Sequence, residues 1–93
     1  MEFEKRLAMV KLMHETMMSM NNENAYMAWI YEMPDCPNED DFEWFAEDED
    51  MYIKLYLYFM KLFERYSKDG IYRPSDSVKE FVSSFGIEVE ILN

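Results

Sequence analysis

Acidic residues are concentrated in one block of this 93-residue chain. Residues 12–53 contain twelve aspartates and glutamates and neither a lysine nor an arginine. The remaining 51 residues hold eight acids and nine bases, so the formal net charge of −11 originates inside the block. Carboxylates at this density can bind a cation, transfer protons as acid–base pairs, or present a negative surface to a basic partner.

The acids are densest between residues 35 and 50, and this stretch favours binding of a basic partner. A field of one sign repels nucleic acid and anionic membranes and attracts basic surfaces. Its carboxylates can take the place of phosphates in a groove built for DNA or RNA, with binding that weakens as salt rises. Aromatic residues interleave with the acids, which predicts a folded surface with Trp44 as an anchor if it is exposed. The predicted partner-binding residues are Asp35, Glu39, Asp40, Asp41, Glu43, Trp44, Glu47, Asp48, Glu49 and Asp50.

Neither catalysis nor a metal site is predicted from these acids. Residues 48–50 lack the alternating ligands and the central glycine of an EF-hand loop. Acids three and four apart on a helix could share one cation, because they are neighbours on its surface. The acids at this spacing are Glu39, Asp40, Glu43 and Glu47. One histidine, His14, and one cysteine, Cys36, cannot form a structural zinc site, and we expect no enzyme activity, no cofactor and no bound metal.

In general character the chain resembles the small acidic proteins that phages encode against host defence, the antirestriction and anti-CRISPR inhibitors. The resemblance rests on length, on the block without bases, and on the run EDDFEWFAEDED over residues 39–50. It covers about half of the chain and includes no diagnostic motif. Several of these inhibitors are DNA mimics, so the resemblance implies a non-enzymatic inhibitor that occupies the basic groove of a DNA- or RNA-binding defence protein. It implies no direct contact with nucleic acid.

The expected location is the cytoplasm of a bacterial host cell. The N-terminal residues lack the basic head and the uninterrupted apolar run of a signal peptide. The most apolar stretch, residues 51–63, contains Lys54 and Lys61 and is shorter than the roughly 20 residues that span a bilayer. We therefore expect no membrane partner.

The alternative function is that of a small interaction or adaptor protein, in which the acids serve only solubility. A methionine cluster near the end of the first predicted helix is a candidate hydrophobic docking patch, although methionine also fills cores. These methionines are Met13, Met17, Met18 and Met20. A strand edge at residues 87–91 is a second candidate, since it could add to a partner's sheet. Residues 71–73 could pair with this strand instead, as could a second subunit in a homodimer.

Apolar spacing predicts a mainly α fold, a small single-domain bundle of four or five helices with a short C-terminal β-strand. The whole chain, residues 1–93, is predicted to be this one domain. One helix over residues 39–68 would be about 45 Å long, so we expect a break near residues 48–50. The predicted helices cover residues 2–20, 23–33, 39–47, 51–68 and 77–85, and the predicted strand covers residues 87–91.

Capping residues mark several of these boundaries. Asn22 is expected to cap the second helix, because its side-chain oxygen can accept a free backbone N–H. Ser77, with Glu80 three residues later, fits a capping box for the last helix, and Gly86 is expected to close that helix.

The apolar stripes also predict which side chains form the core. The helix over residues 51–68 is expected to be buried on most of its circumference. His14 lies on the stripe of the first helix and is expected to be packed there or at its edge. The predicted core consists of Phe3, Leu7, Val10, Trp29, Ile30, Phe45, Tyr56, Phe59, Phe63, Val78, Phe81 and Val82.

Overall fold

Helices make up most of the described chain, and the predicted mainly α fold is confirmed. The computed structural model of the protein describes residues 2–32, 41–69, 71–86 and 90–91. A turn of π-helix (Ala28–Glu32) extends the second helix, and a short 3-10 helix (Ser67–Asp69) follows the fourth. The five α-helices of this described part are α1 (Phe3–Ser19), α2 (Glu23–Met27), α3 (Phe42–Glu47), α4 (Glu49–Tyr66) and α5 (Asp76–Ser83).

The predicted break between the third and fourth helices is confirmed and lies at Asp48. The backbone of Asp48 is extended (φ −106°, ψ 117°), and its carboxylate accepts the N–H groups of Asp50 at 2.8 Å and Met51 at 3.3 Å. This cap satisfies free donors at the start of α4. The molecule is 33 Å along its longest axis, less than an unbroken helix over residues 39–68 would need.

The N-terminal cap of α2 agrees with the prediction, whereas the N-terminal cap of α5 differs from it. Asn22 caps α2 by accepting the N–H groups of Asn24 and Ala25, as predicted. The cap of α5 is Ser75 and not Ser77, which corrects the predicted capping box. Ser75 accepts from the Val78 N–H and donates its hydroxyl hydrogen to Glu15 of α1 at 2.7 Å, so tertiary contact selects the earlier serine.

Two residue pairs outside the helices lie side by side in a parallel ladder. Ile71–Tyr72 (β1) pairs with Glu90–Ile91 (β2). The Arg73 N–H donates to the Ser19 carbonyl, which holds the end of β1 against the end of α1. Residues 87–89 of the predicted strand lie outside the described residues, so a strand over residues 87–91 stays a prediction.

The core is centred on α4 and is larger than the predicted set. Eleven of the twelve predicted residues are buried or pack against the core as half-buried side chains, but Phe3 at the start of α1 is 38% exposed, which corrects its assignment. The face of α1 that is buried follows Val10, Met13 and Met17, where the other helices cover it. The fully buried side chains also include Met20, Leu55 and Tyr72.

The hydroxyl groups of Tyr58 and Tyr72 differ in their hydrogen bonding. Tyr58 of α4 donates to the Ala28 carbonyl at 2.6 Å, at the point where the second helix changes to π geometry. The hydroxyl of Tyr72, a residue that is 0% exposed, has no hydrogen-bond partner among the described residues. Burial raises the pKa of Tyr72 above its ordinary value of 10.0, because the ionised form is excluded from an apolar site.

The substitution Tyr72→Phe is expected to stabilise the protein by about 1 kcal/mol at neutral pH, since it removes a buried polar atom without a partner. It should also reduce the loss of stability above pH 10. There the tyrosine ionises in the unfolded chain while burial keeps it neutral in the folded one, so rising pH favours unfolding. Urea denaturation at pH 7 and at pH 10.5 measures both effects.

The matched control is Tyr58→Phe, which removes a hydroxyl that is hydrogen-bonded. It should destabilise the protein by about 1 kcal/mol. Equal effects of the two substitutions would contradict this account of Tyr72.

Candidate partner-binding surface

The acidic side chains of α3 point outward because its apolar side chains are buried on the opposite face. Phe42, Phe45 and Ala46 of α3 are buried, mainly against α1, and they occupy one face through spacing of three and four residues. Glu43, Trp44 and Glu47 fall on the opposite face and are exposed. The short helix is therefore a scaffold that fixes which way the carboxylates project.

Two contacts with α1 hold α3 in place. The Arg6 side chain donates through Nε to the Ala46 carbonyl near the end of α3. The ring of Phe42 packs edge-on against His14, with centroids 5.0 Å apart. Because the residue earlier in α1 contacts the residue later in α3, the two helices run antiparallel.

The acids continue from α3 across the break into α4. Asp48, Glu49 and Asp50 are all exposed. Glu49 and Asp50 lie in the first turn of α4, where negative charge is favoured by the helix macrodipole. The carboxylate of Asp48 caps α4, so this acid has a structural role besides its charge.

These residues form one surface, which we call the acidic ridge. Within residues 41–50 the structure records no ion pair, whereas Lys79 and Asp76 of α5 approach to 4.0 Å. The carboxylates of residues 41–50 are therefore not held in ion pairs. Trp44 is 43% exposed on this surface, and its ring packs edge-on against buried Phe45 at 5.0 Å. The ridge consists of Asp41, Glu43, Trp44, Glu47, Asp48, Glu49 and Asp50.

The structure brings together seven of the ten predicted site residues. Asp41 is half-buried at the start of α3, and the other six are exposed. The predicted residues Asp35, Glu39 and Asp40 lie outside the described residues, as does Cys36. Trp44, which is predicted to be an anchor if its side chain is exposed, is exposed on this surface.

His14 has a structural environment, in agreement with its predicted packed position. Its Nδ1 accepts the indole N–H of fully buried Trp29 at 3.1 Å. This bond uses the nitrogen lone pair that a metal ligand or general base at Nδ1 would need. Among the described residues no three His, Cys, Asp or Glu side chains converge on a position that could hold a metal ion.

The methionine cluster is not the exposed patch that the alternative function required. Met13, Met17 and Met20 are at most 1% exposed, so they fill the core, and Met18 is half-buried beside it. Flexible thioether side chains fit the irregular space between α1 and the other helices. Of the two roles that the sequence left open for these methionines, the structure shows core filling.

An apolar groove beside the acidic ridge is the feature that sequence reasoning missed. It has a volume of about 230 Å³ and lies between α1 and α4. Ile53 is 46% exposed and Leu57 63% exposed, so α4 is less buried around its circumference than predicted. The spacing of four residues between Ile53 and Leu57 places them on one face of α4 and could have predicted the groove. The longer apolar stripe on the other face of α4 dominated the sequence pattern instead. The groove is lined by Met9, Tyr52, Ile53, Tyr56 and Leu57.

Within the described ranges, no helix has both the length and the apolar character needed to cross a lipid bilayer. Comparisons of the chain with protein-family models, with curated proteins and with solved structures found no match.

Proposed function

We propose that this protein is a non-enzymatic inhibitor that binds the basic nucleic-acid groove of a DNA- or RNA-binding defence protein. The carboxylates of the acidic ridge take the positions that phosphates occupy when the groove is filled. The protein acts in the cytoplasm of a bacterial host cell, as the general resemblance to phage-encoded inhibitors implies.

The observation that carries this proposal is the outward, unpaired arrangement of the ridge carboxylates. Glu43 and Glu47 are one helical turn apart on α3, and exposed Glu49 and Asp50 follow in the first turn of α4. Residues four apart on a helix are about 5–6 Å apart at Cβ, so the charges form a closely spaced row. Such a row supports recognition by a surface that itself recognises phosphates mainly through charge.

Rigidity supports the same function. The backbone of α3 is held by Arg6 and by the buried rings of Phe42 and Phe45, and the start of α4 is held by the Asp48 cap. Preorganised charges lose little conformational freedom on binding. A disordered acidic tail would lose much more.

Capture from bacterial lysate, followed by displacement with DNA, tests the proposal. The immobilised protein is exposed to nuclease-treated lysate, and a retained protein is identified by its mass. We expect duplex DNA to release this partner, because DNA and the acidic ridge compete for one groove. Its affinity should fall at least about tenfold between 50 and 200 mM salt, as charge-dominated binding requires.

Direct binding of labelled duplex DNA to the protein itself serves as the second measurement, and none is expected because of repulsion between like charges. A partner whose binding is unaffected by both competing DNA and salt would refute groove occupation. That result would instead favour the adaptor function.

A further inference from the structure

We propose that the apolar groove between α1 and α4 binds an apolar or aromatic side chain that projects from the basic surface of the partner. This inference rests on the proposed function and deepens it by naming the chemistry of the partner. The occupant is a protein segment in which one exposed apolar residue has cations on one side.

The position of the groove connects it with the acidic ridge. Glu49, Ile53 and Leu57 are four residues apart along α4, so they follow one another on the same face of the helix. Asp50 is three residues before Ile53 and borders the same face. A partner lying along this face meets carboxylates first and apolar side chains one helical turn later.

The groove is large enough for one bulky side chain. An apolar protein cavity of about 150 Å³ holds a benzene molecule, whereas this groove measures about 230 Å³. Its inner wall is fixed, because Tyr52 is 6% exposed and Met9 and Tyr56 pack against the core. Burial also raises the pKa of Tyr52, with Tyr56 adding to the rise and Arg6 opposing it, so the phenol is neutral when a ligand binds.

The surrounding charge selects a basic segment as the occupant. Glu49 and Asp50 border the groove at its end nearest the start of α4. Exposed Lys54 is three residues before Leu57 and exposed Lys61 is four residues after it, so the far end of the groove is not acidic. Acids at one end of an apolar groove complement a segment in which cations lie on one side of an apolar residue.

Nucleic-acid-binding proteins present this combination where they contact bases. Minor-groove binders insert Phe, Leu, Ile or Met between base steps, and proteins that bind single strands stack aromatic side chains on bases. The carboxylates of the acidic ridge contact the partner's cations in place of phosphates, and the apolar groove contacts its apolar side chain in place of stacked bases. The partner class is therefore a nucleic-acid-binding protein with an exposed wedge or stacking residue in its basic groove.

A pair of fluorescent peptides tests this inference without the natural partner. Both are short chains of lysine, arginine and serine, and they differ only in a central phenylalanine or serine. We expect the phenylalanine peptide to bind the full-length protein about tenfold more tightly, through burial of the ring. The Ile53→Ser/Leu57→Ser double variant should bind both peptides equally, with the salt dependence unchanged.

The matched control is Tyr31→Ser, which removes an apolar side chain that is 65% exposed on the π-helical turn. It should leave the tenfold ratio intact, and thermal unfolding of each variant verifies that it is folded. Equal affinities of the two peptides for the natural protein, with binding still weakened by salt, would overturn the groove and leave the proposed function standing. If the double variant still bound the phenylalanine peptide about tenfold more tightly than the serine peptide, binding of the ring in the groove would be overturned as well.

Two further outcomes contradict the inference in different ways. If neither peptide binds at low salt, the acidic ridge does not attract basic segments, and the proposed function fails together with the groove. If sedimentation shows a dimer that Leu57→Ser separates into monomers, the groove is an interface between two copies of this chain.

Discussion

Replacement of Phe59 by aspartate is expected to abolish cooperative unfolding. Phe59 is 0% exposed and its ring is 5.7–6.0 Å from those of Trp29, Phe63, Phe81 and Phe85. Loss of a buried phenylalanine costs about 3–5 kcal/mol, and burial of an unpaired carboxylate adds several more. Small proteins are stable by only about 5–15 kcal/mol, so little stability would remain.

The measurement is thermal unfolding followed by near-UV circular dichroism, which reports on packing of the aromatic cluster. Leu57→Asp is the matched control, since it places the same charge on the same helix at a site that is 63% exposed. Its effect should be within about 0.5 kcal/mol. A cooperative transition retained by the Phe59 variant would show that the aromatic cluster is not the centre of the fold.

Neutralisation of four ridge carboxylates is expected to weaken binding of the captured partner about 100-fold at low salt. The variant carries Glu43→Gln, Glu47→Gln, Glu49→Gln and Asp50→Asn. Single exposed ion pairs contribute about 0.2–1 kcal/mol, so any one substitution should change little and the effect arises from the row. Asp48 is kept because its carboxylate caps α4. Titration at several salt concentrations should show a shallower salt dependence for the variant.

The control removes four exposed acids elsewhere and so makes the same change in net charge. If general charge, and not the ridge, attracted the partner, both quadruple variants would lose affinity equally. Unchanged binding by the ridge variant would eliminate nucleic-acid mimicry by these residues. The control variant carries Glu2→Gln, Glu4→Gln, Glu32→Gln and Glu80→Gln.

Local physical chemistry made several features predictable from the chain alone. The break at Asp48 follows from the excessive length of an unbroken helix, and the Asn22 cap follows from a side chain that reaches its own backbone. The outward projection of Glu43 and Glu47 follows from Phe42 and Phe45, because helical geometry places the acids opposite the rings.

Other features were decided by contacts between residues distant in sequence. Ser75 instead of Ser77 caps α5 because Glu15 of α1 receives its hydroxyl hydrogen. Phe3 is exposed because it lies at the end of α1, although its spacing matches the buried stripe.

Burial of the methionines and exposure of the apolar groove were likewise decided only in the tertiary structure. Met13, Met17 and Ile53 are all apolar residues on amphipathic helices, so their types alone do not separate core from surface. A helix pattern gives the direction in which each side chain points, but burial requires another element to cover that direction. The chain alone therefore determined where its charges project, and the packing of α1 against α4 decided which apolar side chains remain open to a partner.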